Sequence, residues 1–187
     1  MINLTKGGNI NLTKTLPSVS KFVFGLGWDK NRYDGAEFDA DASAALLNAT
    51  GKIDGDSAFV FFNNKVDASG SVELSGDNRT GEGEGHDETI TVDLSTLPAT
   101  VETVRFAVTI YEADKRNQNF GQVENSYIEV INQADNSVVA RYDLSEDFSV
   151  ETCVVIGELY KKNGEWKFKA VGAGFGGGLD AYVKGIQ

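Results

Sequence analysis

The most constraining feature of the 187-residue sequence is a series of short apolar runs with a two-residue period. Residues 89–94 alternate strictly between polar and apolar side chains. Ile90, Val92 and Leu94 therefore share one side of an extended chain and are expected to face a core. Further apolar or alternating runs lie at residues 19–26, 58–62, 103–112, 126–132, 137–143, 152–160 and 165–171. This pattern predicts a mainly β protein, a two-sheet antiparallel β-sandwich with few short helices.

Two shorter segments add detail to this expectation. The sequence Asn-Leu-Thr-Lys occurs at residues 3–6 and again at residues 11–14, with two glycines between the copies. This arrangement predicts two short strands that fold into a hairpin around a glycine turn. Residues 179–184 have the composition of a short helix near the end of the chain.

The charge balance limits the classes of partner. The sequence has a formal net charge of −11, so like-charge repulsion opposes nucleic acids and anionic membrane surfaces, and cations or basic partners suit it better. No apolar stretch is long enough for a transmembrane helix, and the N-terminus lacks the pattern of a signal peptide, which predicts a cytoplasmic protein. The length fits one domain covering residues 1–187.

The chain has one cysteine and one histidine. Neither an intrachain disulfide, nor a thiolate cluster, nor a two-histidine metal site can therefore form. Cys153 lies in an apolar run, which predicts a buried, unreactive thiol. His86 is interpreted as a plain loop residue, with a metal ligand or a pH-sensitive neighbour of a metal as the alternatives.

Residues 77–88 form an acidic segment spaced by glycines, with Arg79 as its one certain positive charge. Without a bound cation, the carboxylates of such a segment should repel one another. Calcium binds about 6–8 hard oxygen ligands, and alternating glycines allow a loop to wrap around one ion. The segment therefore predicts a calcium site. Magnesium, which demands stricter geometry, and a solvated acidic hairpin loop are the alternatives.

The acidic segment has the length and the end residues of an EF-hand loop, but it lacks the rest of that pattern. Arg79 and Gly81 stand where an EF-hand has acidic or amide groups, and Glu82 stands where it has glycine. The flanking residues have the composition of strands, whereas an EF-hand requires helices. An EF-hand is therefore excluded.

A second acidic motif lies at residues 39–43. In an extended strand Asp39, Asp41 and Ser43 share one face, and the alanines between them share the other. Both carboxylates could therefore point at one cation. A strand edge that faces solvent is the alternative interpretation.

Six motifs lie at residues 38–43, 76–85, 119–123, 141–147, 157–160 and 163–168. They resemble motifs of the TerD family of tellurium-resistance proteins, and the resemblance extends over nearly the whole chain from residue 4 onward. It implies a β-sandwich-type domain that binds calcium through acidic loops and is associated with resistance to tellurite and other stresses. The implied metal ligands are Asp77, Asn78, Thr80, Glu82, Glu84, Asp87 and Glu88 from the acidic motif, and Asp39 and Asp41 from the paired-aspartate motif.

Two residues depart from the family pattern. Ala40 stands where many relatives have leucine, and His86 stands where they commonly have aspartate. The second change removes an oxygen donor or a nearby negative charge from the metal site.

These observations together predict a calcium-binding stress-response protein that holds one or two ions and catalyses no reaction. Other stress-response proteins are its candidate partners. One alternative is a stress-associated scaffold or protein-interaction module in which calcium is structural. Another is a carboxylate-based hydrolase, in which an acid and a base or nucleophile flank the bond that is cleaved.

Overall fold

The computed structural model describes residues 1–29, 39–75, 85–144, 146 and 148–187. These residues contain twelve strands: β1 (Ile2–Leu4), β2 (Asn9–Asn11), β3 (Lys21–Asp29), β4 (Ala40–Leu47), β5 (Phe59–Val60), β6 (Val72–Ser75), β7 (Glu88–Asp93), β8 (Thr103–Ile110), β9 (Glu124–Asn132), β10 (Val138–Asp143), β11 (Cys153–Lys162) and β12 (Glu165–Phe175). The helices are α1 (Leu12–Thr15), α2 (Ala113–Arg116) and α3 (Gly178–Ile186), with 3₁₀ turns at Asp56–Ala58 and Phe120–Gln122. None of the helices in the described ranges is long and apolar enough to cross a membrane.

The strands form two six-stranded sheets that pack face to face. The first sheet has the spatial order β1-β10-β9-β3-β7-β6, and the second has the order β2-β12-β11-β8-β4-β5. Neighbouring strands run antiparallel, with the exception of β1 and β10, which are parallel. The predicted two-sheet sandwich with few short helices is confirmed.

Inward-facing side chains of both sheets fill the space between them. The ring of Phe24 in β3 stacks on the ring of Phe106 in β8 at a centroid distance of 4.3 Å, and lies 5.6 Å from that of Phe168 in β12. Ile90 and Val92 of β7 are fully buried in the same core, as their alternation predicts. Burial of each such side chain contributes roughly 1.5–3 kcal/mol, so this aromatic and aliphatic layer holds the sheets together.

The outer face of the second sheet is covered by α3. Tyr182 and Ile186 of this helix are buried and share an apolar cluster with Cys153 and Val155 of β11. The short helix predicted at residues 179–184 is confirmed and is longer by three residues in total. Cys153 is fully buried, and burial raises the pKa of its thiol to about 12.

The predicted N-terminal hairpin is wrong, because the two copies of its repeat join different structures. β1 pairs with β10 in the first sheet, whereas β2 pairs with β12 in the second. Most of the second copy forms α1 rather than a strand. The side chain of Asn11 caps this helix by accepting a hydrogen bond from the Lys14 N–H at 3.0 Å, and Leu12 is fully buried. Such a cap satisfies a backbone donor that a helix start otherwise leaves unpaired.

Burial of Cys153 leads to a testable prediction. At pH 8 a thiol with a pKa of about 12 contains roughly a thousandfold less thiolate than one at the ordinary value of 9.0. We expect native protein to react with Ellman's reagent far more slowly than unfolded protein. Ile186→Ala, which weakens the packing of α3, should accelerate the reaction. Equally fast labelling of native and unfolded protein would contradict this account of the thiol.

Candidate metal centre

The two acidic segments lie at the same end of the sandwich. In the first sheet β3 ends at Asp29 and β7 begins at Glu88, and these strands pair with Leu26 opposite Glu88. In the second sheet β4 begins at Ala40. A hydrogen bond between Glu88 and the backbone near the start of β4 brings these strand ends together. We call this region the loop end.

Asp87 extends the ladder between β3 and β7 beyond its last strand pair. Its N–H donates to the carbonyl of Leu26 at 2.9 Å, and its Oδ2 accepts a hydrogen bond from the N–H of Trp28 at 2.7 Å. The residue is 6% exposed. Because the ladder ends at Glu88, the Asp87 carboxylate takes the place of a strand carbonyl for a backbone donor of β3.

Glu88 reaches from the first sheet to the second. It shares the inward-facing side of β7 with Ile90, and it is 5% exposed. Its Oε2 accepts a hydrogen bond from the N–H of Ala42 at 2.5 Å. The short strand β5 pairs with β4 at Ala44 and Ala45, so the edge of β4 at Ala42 lies beyond that pairing. The Glu88 carboxylate satisfies a backbone donor on this edge.

Two consecutive carboxylates therefore bind the end of β3 and the start of β4, the next strand along the chain. Asp87 binds the end of β3, and Glu88 binds the start of β4. A hydrogen bond to a charged group contributes about 1.5–3 kcal/mol, and a buried carboxylate is tolerated when such bonds or a counter-charge compensate for its lost hydration. This pair fixes the position at which the paired-aspartate strand meets the acidic segment.

Asp39 and Asp41 lie on the β4 side of the loop end. The carbonyl of Asp39 accepts a hydrogen bond from the N–H of Tyr111 at 2.7 Å. Asp41 is half-buried between the core residues Ala40 and Ala42, which confirms the predicted alternation. Its side chain lines a cavity of about 490 Å³ on the outer side of the second sheet. The Asp41 side chain therefore lies on the outer face of β4, whereas Glu88 reaches the edge of this strand from the inner side of the first sheet.

The structure tests only part of the predicted ligand set. Asp39, Asp41, Asp87 and Glu88 are described, whereas the predicted ligands Asp77, Asn78, Thr80, Glu82 and Glu84 lie outside the described residues. Among the residues that the structure does describe, no group of three or more histidine, cysteine, aspartate or glutamate side chains is arranged to hold a metal ion. Calcium binding by the acidic segment stays a prediction.

Sequence reasoning did not foresee the contacts of His86. Its Nε2 lies 3.4 Å from a carboxylate oxygen of Glu129, and its Nδ1 lies 3.3 Å from the hydroxyl of Tyr127. Two glycines on β3, Gly25 and Gly27, make room for the His86 and Tyr127 rings. Their two-residue spacing in an otherwise bulky strand is the signal that could have indicated side chains packed against this face.

Burial and the Glu129 carboxylate raise the pKa of Tyr127 above its ordinary value. Its hydroxyl therefore stays protonated at neutral pH and can act as a hydrogen-bond donor.

Comparison with known proteins adds evidence from the sequence of nearly the whole chain. The family model described as the TerD domain matches residues 1–185. General stress protein 16U of Bacillus subtilis (strain 168) is 51% identical over 179 residues, which cover 95% of this chain and 93% of that protein. Tellurium resistance protein TerD of Alcaligenes sp is 52% identical over 178 residues, with coverage of 95% and 93%.

A solved structure gives independent support for the fold. It is the crystal structure of a homologue of the telluride resistance protein TerD from Streptomyces coelicolor A3(2), and it matches with a TM-score of 0.72 at 22% identity. The match covers 89% of this chain and 96% of that one, so the two share a fold. From the family model and these close relatives, the chain belongs to the TerD family.

Proposed function

We propose that the protein is a cytoplasmic, calcium-binding stress-response protein associated with tellurite resistance, and that it acts by binding, without catalysis. The names of its relatives, a tellurium resistance protein and a general stress protein, support the association with resistance and stress. The observation that carries the metal-binding part is the burial of two adjacent carboxylates, Asp87 and Glu88, at the base of the acidic segment.

Burial of these two carboxylates supports a metal site at the loop end. Asp87 and Glu88 are both nearly inaccessible to water, and each accepts a hydrogen bond from a backbone N–H. Buried carboxylates are commonly paired with cations or bound to metals, because removal from water costs them hydration. Their oxygens are also of the kind that a divalent cation such as calcium binds.

The donor chemistry fits calcium. Residues 77–88 and the pair Asp39 and Asp41 offer carboxylate, amide and hydroxyl oxygens, which are the ligands that calcium and magnesium select over zinc. Calcium tolerates the irregular geometry of a loop better than magnesium does. Because the Asp41 side chain lies on the outer face of β4 and Glu88 comes from the inner side of the first sheet, the arrangement favours two ion positions over one shared ion.

The first test of the proposal is direct. Isothermal titration of the metal-free protein with calcium should show saturable binding, and calcium should raise the melting temperature. Saturation at about 100 times Kd stabilises a fold by roughly 2.7 kcal/mol, which corresponds to a shift of several degrees for a chain of this size. Absence of both binding heat and a thermal shift would overturn the calcium proposal.

Two substitutions of Glu88 distinguish the effect of its charge from the effect of its hydrogen bond. Glu88→Gln keeps an oxygen that can accept from the Ala42 N–H but removes the negative charge. We expect calcium affinity to fall about tenfold while the stability of metal-free protein changes little. Glu88→Ala also leaves the Ala42 donor unpaired, which should destabilise the metal-free fold by about 1–3 kcal/mol.

Two comparisons complete this experiment. Glu73→Gln removes an exposed carboxylate on β6 and serves as the matched control for the loss of one charge. Glu88 is excluded as a ligand if calcium affinity is the same for the unchanged protein, Glu88→Gln and Glu73→Gln. Glu82→Gln combined with Glu84→Gln tests the acidic segment in the same assay, with a larger expected loss of affinity.

A protein-interaction module with structural calcium is the second candidate. One observation favours it: Phe62 and Tyr111, which are 37% and 43% exposed, line the cavity that also contains Asp41. Exposed aromatic side chains are typical of binding surfaces. On this reading, Phe62→Ser should weaken partner binding and leave calcium affinity unchanged.

The carboxylate-based hydrolase makes a different prediction. If the protein were such an enzyme, single substitutions of its catalytic carboxylates would abolish turnover while calcium binding persisted.

A further inference from the structure

The outward face of β3 has two positions at which a side chain would collide with a neighbouring ring. A Cβ atom at Gly25 would lie 2.5 Å from the His86 ring, and a Cβ atom at Gly27 would lie 2.4 Å from the Tyr127 ring. Such distances are far below van der Waals contact, so any larger residue would displace the rings. The two glycines therefore form slots in which both rings pack directly on the backbone of β3.

Polar contacts then connect these rings to the end of the acidic segment. The Tyr127 hydroxyl lies 3.2 Å from the carbonyl of Gly85 and 3.3 Å from Nδ1 of His86. Nε2 of His86 lies 3.4 Å from Glu129. The Tyr127 hydroxyl has one hydrogen, which it can donate either to the Gly85 carbonyl or to Nδ1 of His86, and a histidine with its proton on Nε2 can donate to Glu129. Gly85 has a φ of +126°, a conformation that favours glycine.

Arg141 of β10 fixes the Tyr127 ring from a third strand. Its guanidinium carbon lies 3.8 Å from the centre of that ring. Its nitrogens lie 2.8 Å from a carboxylate oxygen of Glu129 and 2.7 Å from one of Asp143. The hydrogen bond to Asp143, and after it the one to Glu129, raises the pKa of Arg141 above its ordinary value. A guanidinium held by two carboxylates has little rotational freedom, so it forms a fixed support for the ring.

These contacts hold the side chains of residues 86–88 in three different directions. His86 points to the outer face of the first sheet, Asp87 binds the end of β3, and Glu88 binds β4 in the second sheet. Three consecutive side chains thus attach the end of the acidic segment to three separate parts of the sandwich. Ordering a loop before its ligand arrives reduces the entropy that is lost on binding.

We infer that His86, Tyr127 and Arg141 form a positioning platform, which holds Asp87 and Glu88 in place for the metal without contacting it. The inference rests on the proposed calcium binding and adds residues that control its affinity. It also assigns a role to His86, one of the two residues that the sequence analysis set apart. The histidine anchors the end of the acidic segment to the first sheet through Glu129 and Tyr127.

Tyr127→Phe is the principal test, because it removes the hydroxyl and keeps the ring on Gly27 and under Arg141. We expect the calcium Kd to rise about two- to tenfold, the range that loss of one or two hydrogen bonds produces, with a less favourable binding entropy. The backbone amide of Asp87 should exchange its hydrogen faster in the metal-free variant. Lys21→Gln, which breaks an ion pair with Asp93 elsewhere on this sheet, is the control.

A double-mutant cycle tests the slot beneath His86. Gly25→Ala should weaken calcium binding by displacing the ring, whereas the same change in a His86→Ala background should have little further effect, because the added Cβ then has room. Additive effects of the two substitutions would show that the ring and the glycine act independently and would count against the platform. A merely structural role would lower the melting temperature and leave Kd unchanged.

The outcomes separate the platform from the calcium proposal. If the unchanged protein binds no calcium, the proposed function fails, and hydrogen exchange at Asp87 still decides whether the platform orders the segment. If the unchanged protein binds calcium and Tyr127→Phe alters neither Kd nor exchange, the platform is overturned while the proposed function stands. A higher Kd together with faster exchange, and no change in the Lys21→Gln control, supports both.

Discussion

The hydrogen bond from the Ala42 N–H to Glu88 joins the two sheets of the sandwich at the end that bears both acidic segments. Elsewhere the sheets meet through apolar side chains such as Phe24 and Phe106, whose contacts are strong but weakly directional. A charged hydrogen bond instead fixes one strand relative to another at a defined point. Pairing with β8 fixes β4 within the second sheet, whereas the bond to Glu88 fixes the start of β4 relative to the first sheet, and the neighbouring bond of Asp87 holds the end of β3.

The same two carboxylates have a structural and a proposed functional role. Asp87 and Glu88 hold strand ends in place, and we propose them as metal ligands. Asp87 and Glu88 are therefore structural acceptors and candidate ligands at once, so removing either side chain changes both the local fold and the charge offered to an ion. Glutamine at position 88 separates the two roles, because it preserves the acceptor without the charge.

The sequence predicted the sandwich because period-two alternation is a local signal that burial enforces residue by residue, as Ile90 and Val92 illustrate. It failed for residues 3–14, where the first of two identical tetrapeptides contributes to β1 and most of the second forms α1. A strand of three residues contains too little pattern to identify its partner, and the Asn11 cap converted the second copy into a helix.

Prediction of the site had a similar limit. Residue type and spacing indicated oxygen ligands, but spacing alone could not show that Glu88 binds the edge of β4 while Asp41 lies on its outer face, since that depends on how the sheets pack. The anchoring contacts of His86 were equally invisible, because Tyr127 and Arg141 come from distant strands and become its neighbours only through sheet register.

The placement of β1 and β2 has a consequence for the order in which the protein folds. β1 needs residues 140–142 of β10 as its partner, and β2 needs residues 167–169 of β12. Contacts between such distant parts of a chain form slowly, because a long loop must close first. During synthesis β1 and β2 thus leave the ribosome well before the strands with which they pair. Until β10 and β12 emerge, one edge strand of each sheet remains without its partner and open to association with other chains.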